Sequence, residues 1–136
     1  MTRPDPESVR RVAVVGTGVI GGGWAAHFLR MGLDVSAFDP APGAEDRLRR
    51  MVDGVWPTLA RHGLAPAADP ARLPVATNPE DPLVDAEFVQ ESTREDLTTK
   101  IAVMARIDAA APIDAVIASS TSGFAMTALQ RDCVHP

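Results

Sequence analysis

RVAVVGTGVIGGGWAAHFLRM, residues 11–31, is the stretch that decides the fold. Its first five residues are mostly valine, and a short apolar run rich in β-branched residues is typical of a strand buried on both faces. From Val19 to Met31 the apolar residues recur at helical spacing, which predicts a helix that ends just before Gly32. The side chains predicted to face inward on this helix are Ile20, Trp24, Phe28 and Met31.

Three glycines between the predicted strand and helix form the pattern G-x-G-x-x-G. Gly16 permits a tight turn out of the strand, Gly18 lets the backbone approach a pyrophosphate, and Gly21 lets the helix pack against the sheet. The free N–H groups and the positive end of the helix dipole favour phosphate at this point. The pattern therefore predicts a dinucleotide-binding loop. The residues predicted to contact the cofactor here are Gly16, Thr17, Gly18, Val19, Ile20 and Gly21; Gly22 and Gly23 are interpreted as space for close contact with the sheet or the cofactor.

An acidic residue, Asp39, follows the second predicted strand, DVSAF (34–38), and lies 18 residues beyond Gly21. A carboxylate at this position can accept hydrogen bonds from both ribose hydroxyls of an adenosine and repels a 2′-phosphate. No arginine follows directly in DPAPG, so NAD is favoured over NADP as the cofactor. An alternative is that Asp39 is only a turn residue before Pro40.

Strand and helix patterns alternate along the rest of the chain, which predicts an α/β fold, a Rossmann-type doubly wound parallel sheet of about five strands. Residues 1–10 are interpreted as an N-terminal extension and residues 11–136 as a single domain. The further elements predicted are a helix over 44–61, a strand around 74–76, a helix start at Asn78-Pro79, a strand over 86–91, a helix from a cap at Thr93 to Ala110, a strand over 115–118 and a short helix in FAMTALQ.

Composition and charge argue against several kinds of partner, covalent link and metal site. The net charge is −5 and the chain has no basic run, which argues against nucleic acid and anionic membranes. The single cysteine, Cys133, excludes an intramolecular disulfide and a cysteine-built metal site. Neither a signal peptide nor a membrane span is predicted, and a cytoplasmic setting is expected.

Two polar segments follow the last two predicted strands: QESTREDLTTK, residues 90–100, and SSTSG, residues 119–123. In an open parallel sheet, ligands lie beyond the carboxyl ends of the strands. Both segments are therefore expected near the nicotinamide ring of the cofactor.

The chain resembles the N-terminal NAD-binding domain of the L-3-hydroxyacyl-CoA dehydrogenase superfamily. The resemblance lies in VAVVGTGVIGGGWAAHFLRMGLDVSAFDPAP, FVQESTREDLTTK and AVIASSTSG, which occur in the family's order and spacing. Within the superfamily, GTGVIGGGWAA, FVQES and IASSTSG are most similar to the L-carnitine dehydrogenase branch.

The resemblance implies roles for four residues. Glu95 and Lys100 would line the nicotinamide-ribose region, and Ser122 would contact the hydroxyl or keto oxygen of the substrate as the catalytic residue of this chain. Ser120, a cofactor-binding candidate, stands where acyl-CoA members usually carry asparagine and carnitine-like members carry serine. Two alternatives stay open. Lys100 could be an exposed helix charge, or residues 119–122 could form only a hydroxyl-rich loop that caps the helix near Phe124.

The function implied by the resemblance is a carnitine dehydrogenase-like, NAD-dependent oxidation of a secondary alcohol to a ketone, with a hydroxy acid or an acyl-CoA as the small-molecule substrate of the full-length protein. The alternatives are a 3-hydroxyacyl-CoA dehydrogenase proper and a non-catalytic NAD-binding or structural module, as in the crystallins that resemble this family. The family's base is a histidine held by a glutamate in a GHPFNP…EV segment downstream of His135-Pro136. We therefore expect the 136-residue chain alone to be inactive and its three histidines, His27, His62 and His135, to lie outside the catalytic machinery. The exposed edge of the last predicted strand favours a homodimer.

Overall fold

A computed structural model describes residues 2–136 and shows a parallel sheet with helices on both faces. The strands are β1 (Arg11–Val15), β2 (Asp34–Phe38), β3 (Phe88–Glu91) and β4 (Val116–Ser119). The α-helices are α1 (Val19–Arg30), α2 (Ala44–Arg61), α3 (Leu97–Ala110) and α4 (Met126–Leu129), and a single 3-10 turn covers Pro6–Ser8. The predicted Rossmann-type fold is confirmed.

The four strands lie in the order β2-β1-β3-β4 and are all parallel. The chain moves outward from β1 to β2, returns to the other side of β1 at β3 and continues to β4. This reversal makes a topological switch point between β1 and β3, where ligands bind in open α/β sheets.

Strand β1 is buried on both faces, as its valine-rich sequence predicts. Val12 and Val14 pack with the apolar residues of α1 and α2, whereas Ala13 and Val15 pack with those of α3 and α4. Successive side chains of a strand point to opposite faces, so one short strand contributes to two cores.

The strand predicted around 74–76 is reduced to one parallel bridge between Val75 and Ala37, so the sheet among the described residues has four strands and not five. Pro74 has no N–H to extend the ladder. The helix predicted at Asn78-Pro79 is also wrong. Asn78 accepts a hydrogen bond from the backbone N–H of Glu80, and residues 79–85 form turns.

Helix α1 has the predicted extent, and Phe28 is buried as predicted, but the other three residues predicted to face inward are exposed. Ile20, Trp24 and Met31 are 58%, 40% and 51% exposed. The buried residues of α1 are mostly small: Gly21, Gly22, Ala25, Ala26, Phe28 and Leu29. The first turns of α1 lie so close to the glycine loop and to α2 that no side chain has room at Gly21 or Gly22, whereas Phe28 and Leu29 are accommodated further along the helix. A Cβ at Gly22 would lie 2.2 Å from the Sδ of Met51 in α2, so Gly22 serves a helix–helix contact.

The N-cap of α3 lies three residues later than predicted. Asp96, not Thr93, occupies the N-cap, and its carboxylate accepts a hydrogen bond from the backbone N–H of Thr99 at 2.8 Å. The backbone N–H and the hydroxyl of Thr93 instead donate hydrogen bonds to the carboxylate of Glu91. No helix within residues 2–136 is long and apolar enough to span a bilayer.

Candidate functional site

The carboxyl ends of all four strands meet in one row. Val15 is in register with Phe38 and with Glu91, and Glu91 is in register with Ser119. The residues that follow these four therefore lie side by side at the carboxyl end of the sheet. This places the glycine loop, Asp39 and both polar segments at one end of the molecule, as predicted.

The glycine loop is shaped by contacts that no side chain could share. Gly16 has a φ of +88°, and a Cβ there would lie 2.7 Å from the carbonyl carbon of Ser92. A Cβ at Gly21 would lie 1.7 Å from the carbonyl oxygen of Gly16. These two glycines hold the loop against the end of β3 and hold α1 against the loop.

Gly18 has a different environment from the other two glycines of the motif. A Cβ there would have no atom within 4 Å. Gly18 is also the N-cap of α1, and no side chain caps that end of the helix. The first N–H groups of α1 therefore face open space with the positive end of the helix dipole, an arrangement that suits phosphate.

Asp39 lies beside the glycine loop. Its Oδ2 accepts hydrogen bonds from the backbone N–H and the hydroxyl of Thr17 at 2.8 and 3.2 Å. Its Oδ1 accepts a hydrogen bond from the backbone N–H of Ala41 at 2.8 Å, so Asp39 also closes the turn that follows β2. The carboxylate is therefore oriented by the chain itself.

An open cavity of ≈ 510 Å³ lies against Asp39, between the end of β2, the first turn of α2 and residues 75–77. Glu45 and Asp46 also line this cavity. Arg47, the first arginine after β2, donates to the carbonyl oxygen of Pro42. The walls thus contain three carboxylates and no arginine, which suits an unphosphorylated ribose better than one with a 2′-phosphate.

Lys100 is buried, and the alternative that it is an exposed helix charge is wrong. Its side chain is 1% exposed, and its Nζ lies 2.8 Å from Oε1 of Glu91, which is 0% exposed. The same Nζ donates to the carbonyl oxygen of Thr93 at 3.0 Å and lies 3.7 Å from Oε2 of Glu95. Lys100 thus lies beneath the segment that follows β3, with Glu95 above it at the surface.

Glu91 is the site residue that the sequence analysis missed. Besides Lys100, its carboxylate accepts hydrogen bonds from the backbone N–H and hydroxyl of Thr93 and from the hydroxyl of Ser119. Burial alone would raise the pKa of Glu91, but the hydrogen bonds from Lys100, Ser119 and Thr93 outweigh burial and hold that pKa below its ordinary value. A charged residue ending a buried strand was the available signal.

The segment after β4 joins both neighbouring segments. The hydroxyl of Ser120 accepts from Nε2 of Gln90 at 2.8 Å and lies 2.7 Å from the hydroxyl of Ser92. The hydroxyl of Thr121 donates to Oε1 of Glu95. Ser120 therefore contacts the end of β3 and the residue after it, and Thr121 orients the carboxylate of Glu95.

Ser122 differs from its neighbours because it is exposed and makes no hydrogen bond with another of residues 2–136. The N-cap of α4 is Ala125, and no side chain caps this helix. Within the hydroxyl-rich loop 119–122, the hydroxyl of Thr121 accepts a hydrogen bond from the backbone N–H of Phe124 at 3.3 Å, whereas Ser122 accepts none.

The three histidines lie on other parts of the molecule. His27 is exposed on the third turn of α1, and His62 is exposed at the end of α2. The Nδ1 of His135 lies 3.6 Å from Asp108, in the last turn of α3. That carboxylate is roughly 12 Å along the helix from Lys100, at a rise of about 1.5 Å per residue. In residues 2–136 no three His, Cys, Asp or Glu side chains are grouped so that they could hold a metal ion.

Comparison with known proteins places this geometry in context. Residues 11–136 match the family described as 3-hydroxyacyl-CoA dehydrogenase, NAD binding domain. The chain is 58% identical over 131 residues to an L-carnitine dehydrogenase of Streptomyces coelicolor, covering 96% of this chain and 41% of that protein. For an L-carnitine dehydrogenase of Streptomyces griseus the identity is 56%, with 96% and 39% covered. A crystal structure of 3-hydroxybutyryl-CoA dehydrogenase from Escherichia coli K12 superposes with a TM-score of 0.83 at 26% identity, over 95% of this chain and 28% of that one. The chain thus spans about two fifths of the length of these curated relatives.

Proposed function

The chain belongs to the family of 3-hydroxyacyl-CoA dehydrogenase NAD-binding domains, and from this premise we propose that it holds NAD for a carnitine dehydrogenase-like oxidation of a secondary alcohol to a ketone. The observation that carries the proposal is the carboxylate of Asp39 held against the glycine loop, 2.8 Å from the backbone nitrogen of Thr17. One acid and one uncapped helix start are thereby available to the same dinucleotide.

The described residues fit the adenosine diphosphate half of NAD. The open space at Gly18 and the free N–H groups of α1 suit the pyrophosphate, with Thr17, Val19 and Ile20 completing the loop. The carboxylate of Asp39 has further lone pairs that can accept hydrogen bonds from the ribose hydroxyls. Ile20 and Val19 are exposed side chains at this loop, which supports a contact with the cofactor rather than with the core.

On the nicotinamide side, we assign Glu95 to the ribose hydroxyls and Ser122 to the substrate oxygen. Glu95 is exposed and oriented by Thr121, whereas Ser122 has a free hydroxyl. Ser120 and Lys100 support this half from within the protein. When NAD is bound there, its nicotinamide ring supplies the acceptor for hydride.

The test of this assignment is calorimetric titration of the 136-residue chain with NAD and with NADP. A hydrogen bond to a charged group contributes about 1.5–3 kcal/mol, so Asp39→Ala should weaken NAD binding by about 10- to 150-fold and reduce the preference over NADP. Asp53→Ala is the matched control because Asp53 is an exposed acid on the far part of α2. Unchanged NAD affinity in Asp39→Ala would show that the ribose assignment is wrong.

We propose that the 136-residue chain alone does not turn over substrate. Oxidation of an alcohol needs a base for the hydroxyl proton. None of the three histidines is in the segment of Ser122, since His27 lies on α1, His62 at the end of α2 and His135 beside Asp108 of α3. Incubation with NAD and L-carnitine should give no NADH absorbance above the blank. Sustained NADH production would overturn this proposal.

The substrate of the whole protein is proposed as a small hydroxy acid of the carnitine type. The similarity to L-carnitine dehydrogenases favours this over an acyl-CoA, and a non-catalytic role is the remaining alternative. We also propose a homodimer, supported by the unpaired edge of β4 among the described strands, and a cytoplasmic setting.

A further inference from the structure

Five side chains and one backbone group form a closed ring beneath the nicotinamide half of the proposed site. Glu91 binds Lys100, Lys100 faces Glu95 at 3.7 Å, and Glu95 accepts from Thr121. The backbone N–H of Thr121 donates to the hydroxyl of Ser119 at 3.1 Å, and that hydroxyl donates to Glu91. The ring joins the end of β3, the first turn of α3 and the segment after β4.

Only part of this ring reaches the surface. Glu91 and Lys100 are almost completely buried, whereas the side chain of Glu95 is 45% exposed. The buried pair thus lies on the protein side, and the residue assigned to the ribose lies on the ligand side. Because each member of the ring has a partner on either side, moving one member displaces the next.

We propose that Glu91 is a positioning residue for the nicotinamide half of the site, fixing the places of Glu95 and of the segment after β4 through Lys100 and Ser119. This inference rests on the proposed NAD-binding function. It assigns Glu91 no contact with the cofactor itself.

The electrostatics of the ring give Glu91 a specific task. Its carboxylate neutralises the ammonium of Lys100 at 2.8 Å, while Glu95 is a weaker partner at 3.7 Å. Without the charge of Glu91, the buried ammonium has Glu95 as its nearest anion, and attraction is strong where water is excluded. Glu95 would then be drawn inward and away from the ribose hydroxyls.

A merely structural ion pair would not require this location. Burying two charges costs free energy, and well-packed apolar residues often replace such pairs without loss of stability. Here the pair lies directly under the two loops that frame the site, and each loop is hydrogen-bonded to Glu91. The placement is what a role in ligand binding requires.

The experiment compares NAD with ADP as probes of the two halves of the site, by calorimetry on the 136-residue chain. ADP reports the glycine loop and Asp39, whereas NAD adds the nicotinamide half. We expect Glu91→Gln to weaken NAD binding about tenfold and to leave ADP binding within about twofold of the unsubstituted chain. The matched control is Glu87→Gln. It removes a carboxylate that accepts hydrogen bonds from the backbone N–H groups of Arg10 and Arg11, at the amino ends of β1 and β3 and so at the end of the sheet opposite the site. It should leave the ratio of the two affinities unchanged.

If Glu91→Gln does not fold, as judged by circular dichroism, Ser119→Ala tests the same ring while leaving the ion pair intact, and the same selective loss of NAD affinity is expected. Parallel losses of NAD and ADP affinity, or no loss of either, would overturn the positioning role. Failure of the unsubstituted chain to bind NAD would instead remove the proposed function, and this inference with it.

Discussion

At the residue scale, the glycine loop shows that identical residues serve different ends. Gly16 and Gly21 are required by backbone atoms that already occupy the space of a side chain, whereas Gly18 faces open space. The fold therefore requires glycine at positions 16 and 21, whereas the open space at Gly18 is compatible with a requirement of ligand binding. Replacing a glycine of the loop by alanine tests whether the fold requires glycine at that position.

Gly21→Ala should disrupt both the fold and the loop, because its Cβ would lie 1.7 Å from the carbonyl oxygen of Gly16. Backbone must then move, and overpacking of this kind costs about 1–3 kcal/mol or more. We expect a lower unfolding free energy in urea titrations and a loss of NAD binding in calorimetry.

The control for this substitution is Gly54→Ala in α2, where a Cβ would meet no atom within 4 Å. Replacing an exposed helical glycine by alanine stabilises a helix by about 0.5–1 kcal/mol. Gly21→Ala with the stability of the unsubstituted chain would contradict the contacts described for the loop.

At the scale of elements, β4 has a neighbour on one side only within residues 2–136. An edge strand presents unpaired N–H and C=O groups on which another strand can form. A cavity of ≈ 390 Å³ lies beside it, and exposed Ile113 is part of the lining. This edge is the surface through which we propose that two copies associate.

Sedimentation velocity over a range of concentrations tests the association. We expect a monomer–dimer equilibrium that Ile113→Lys shifts toward the monomer, since it places a charge in the turn before β4, beside the edge strand, where charge opposes pairing. Val84→Lys is the control because Val84 is an exposed apolar residue in the turns before β3. A clean monomer at high concentration would count against the dimer.

At the scale of the whole molecule, the buried carboxylate of Glu91 links the stability of the fold to pH. Its pKa in the folded chain lies below the ordinary 4.5, despite burial, because of its hydrogen bonds to Lys100, Ser119 and Thr93. The unfolded chain therefore takes up the proton first on acidification. The stabilisation is complete above about pH 4.5 and is lost as the pH falls through the folded pKa.

Urea unfolding between pH 7 and pH 3 measures this effect. The unfolding free energy should decline below about pH 4.5, and the decline should be shallower in Glu91→Gln, which has no carboxyl group to protonate. Glu45→Gln removes an exposed carboxylate paired with Arg49, so its profile should follow that of the unsubstituted chain. An equal decline in Glu91→Gln would refute the linkage.

The sequence alone determined most of the local elements and their order, apart from the strand at 74–76 and the helix at Asn78-Pro79. The valine run, the glycine spacing and the acid after β2 depend on near neighbours in the chain, and β1, α1, α2 and the position of Asp39 agree with the prediction. The resemblance to a known family added Glu95, Lys100, Ser120 and Ser122, and its family assignment is confirmed by the match over 11–136. The roles of these residues stay predictions.

Only the tertiary structure decided which groups meet across the molecule. Periodicity placed Ile20 and Trp24 inside, but the contacts of α1 with the glycine loop and with Met51 of α2 bury Gly21 and Gly22 instead. It also left Glu91 unnoticed and Lys100 undecided between surface and site. Their pairing joins a strand end to a helix turn, and the burial of both charges depends on the sheet register that brings Ser119 alongside. Contacts of this kind depend on packing between elements, which no local pattern encodes.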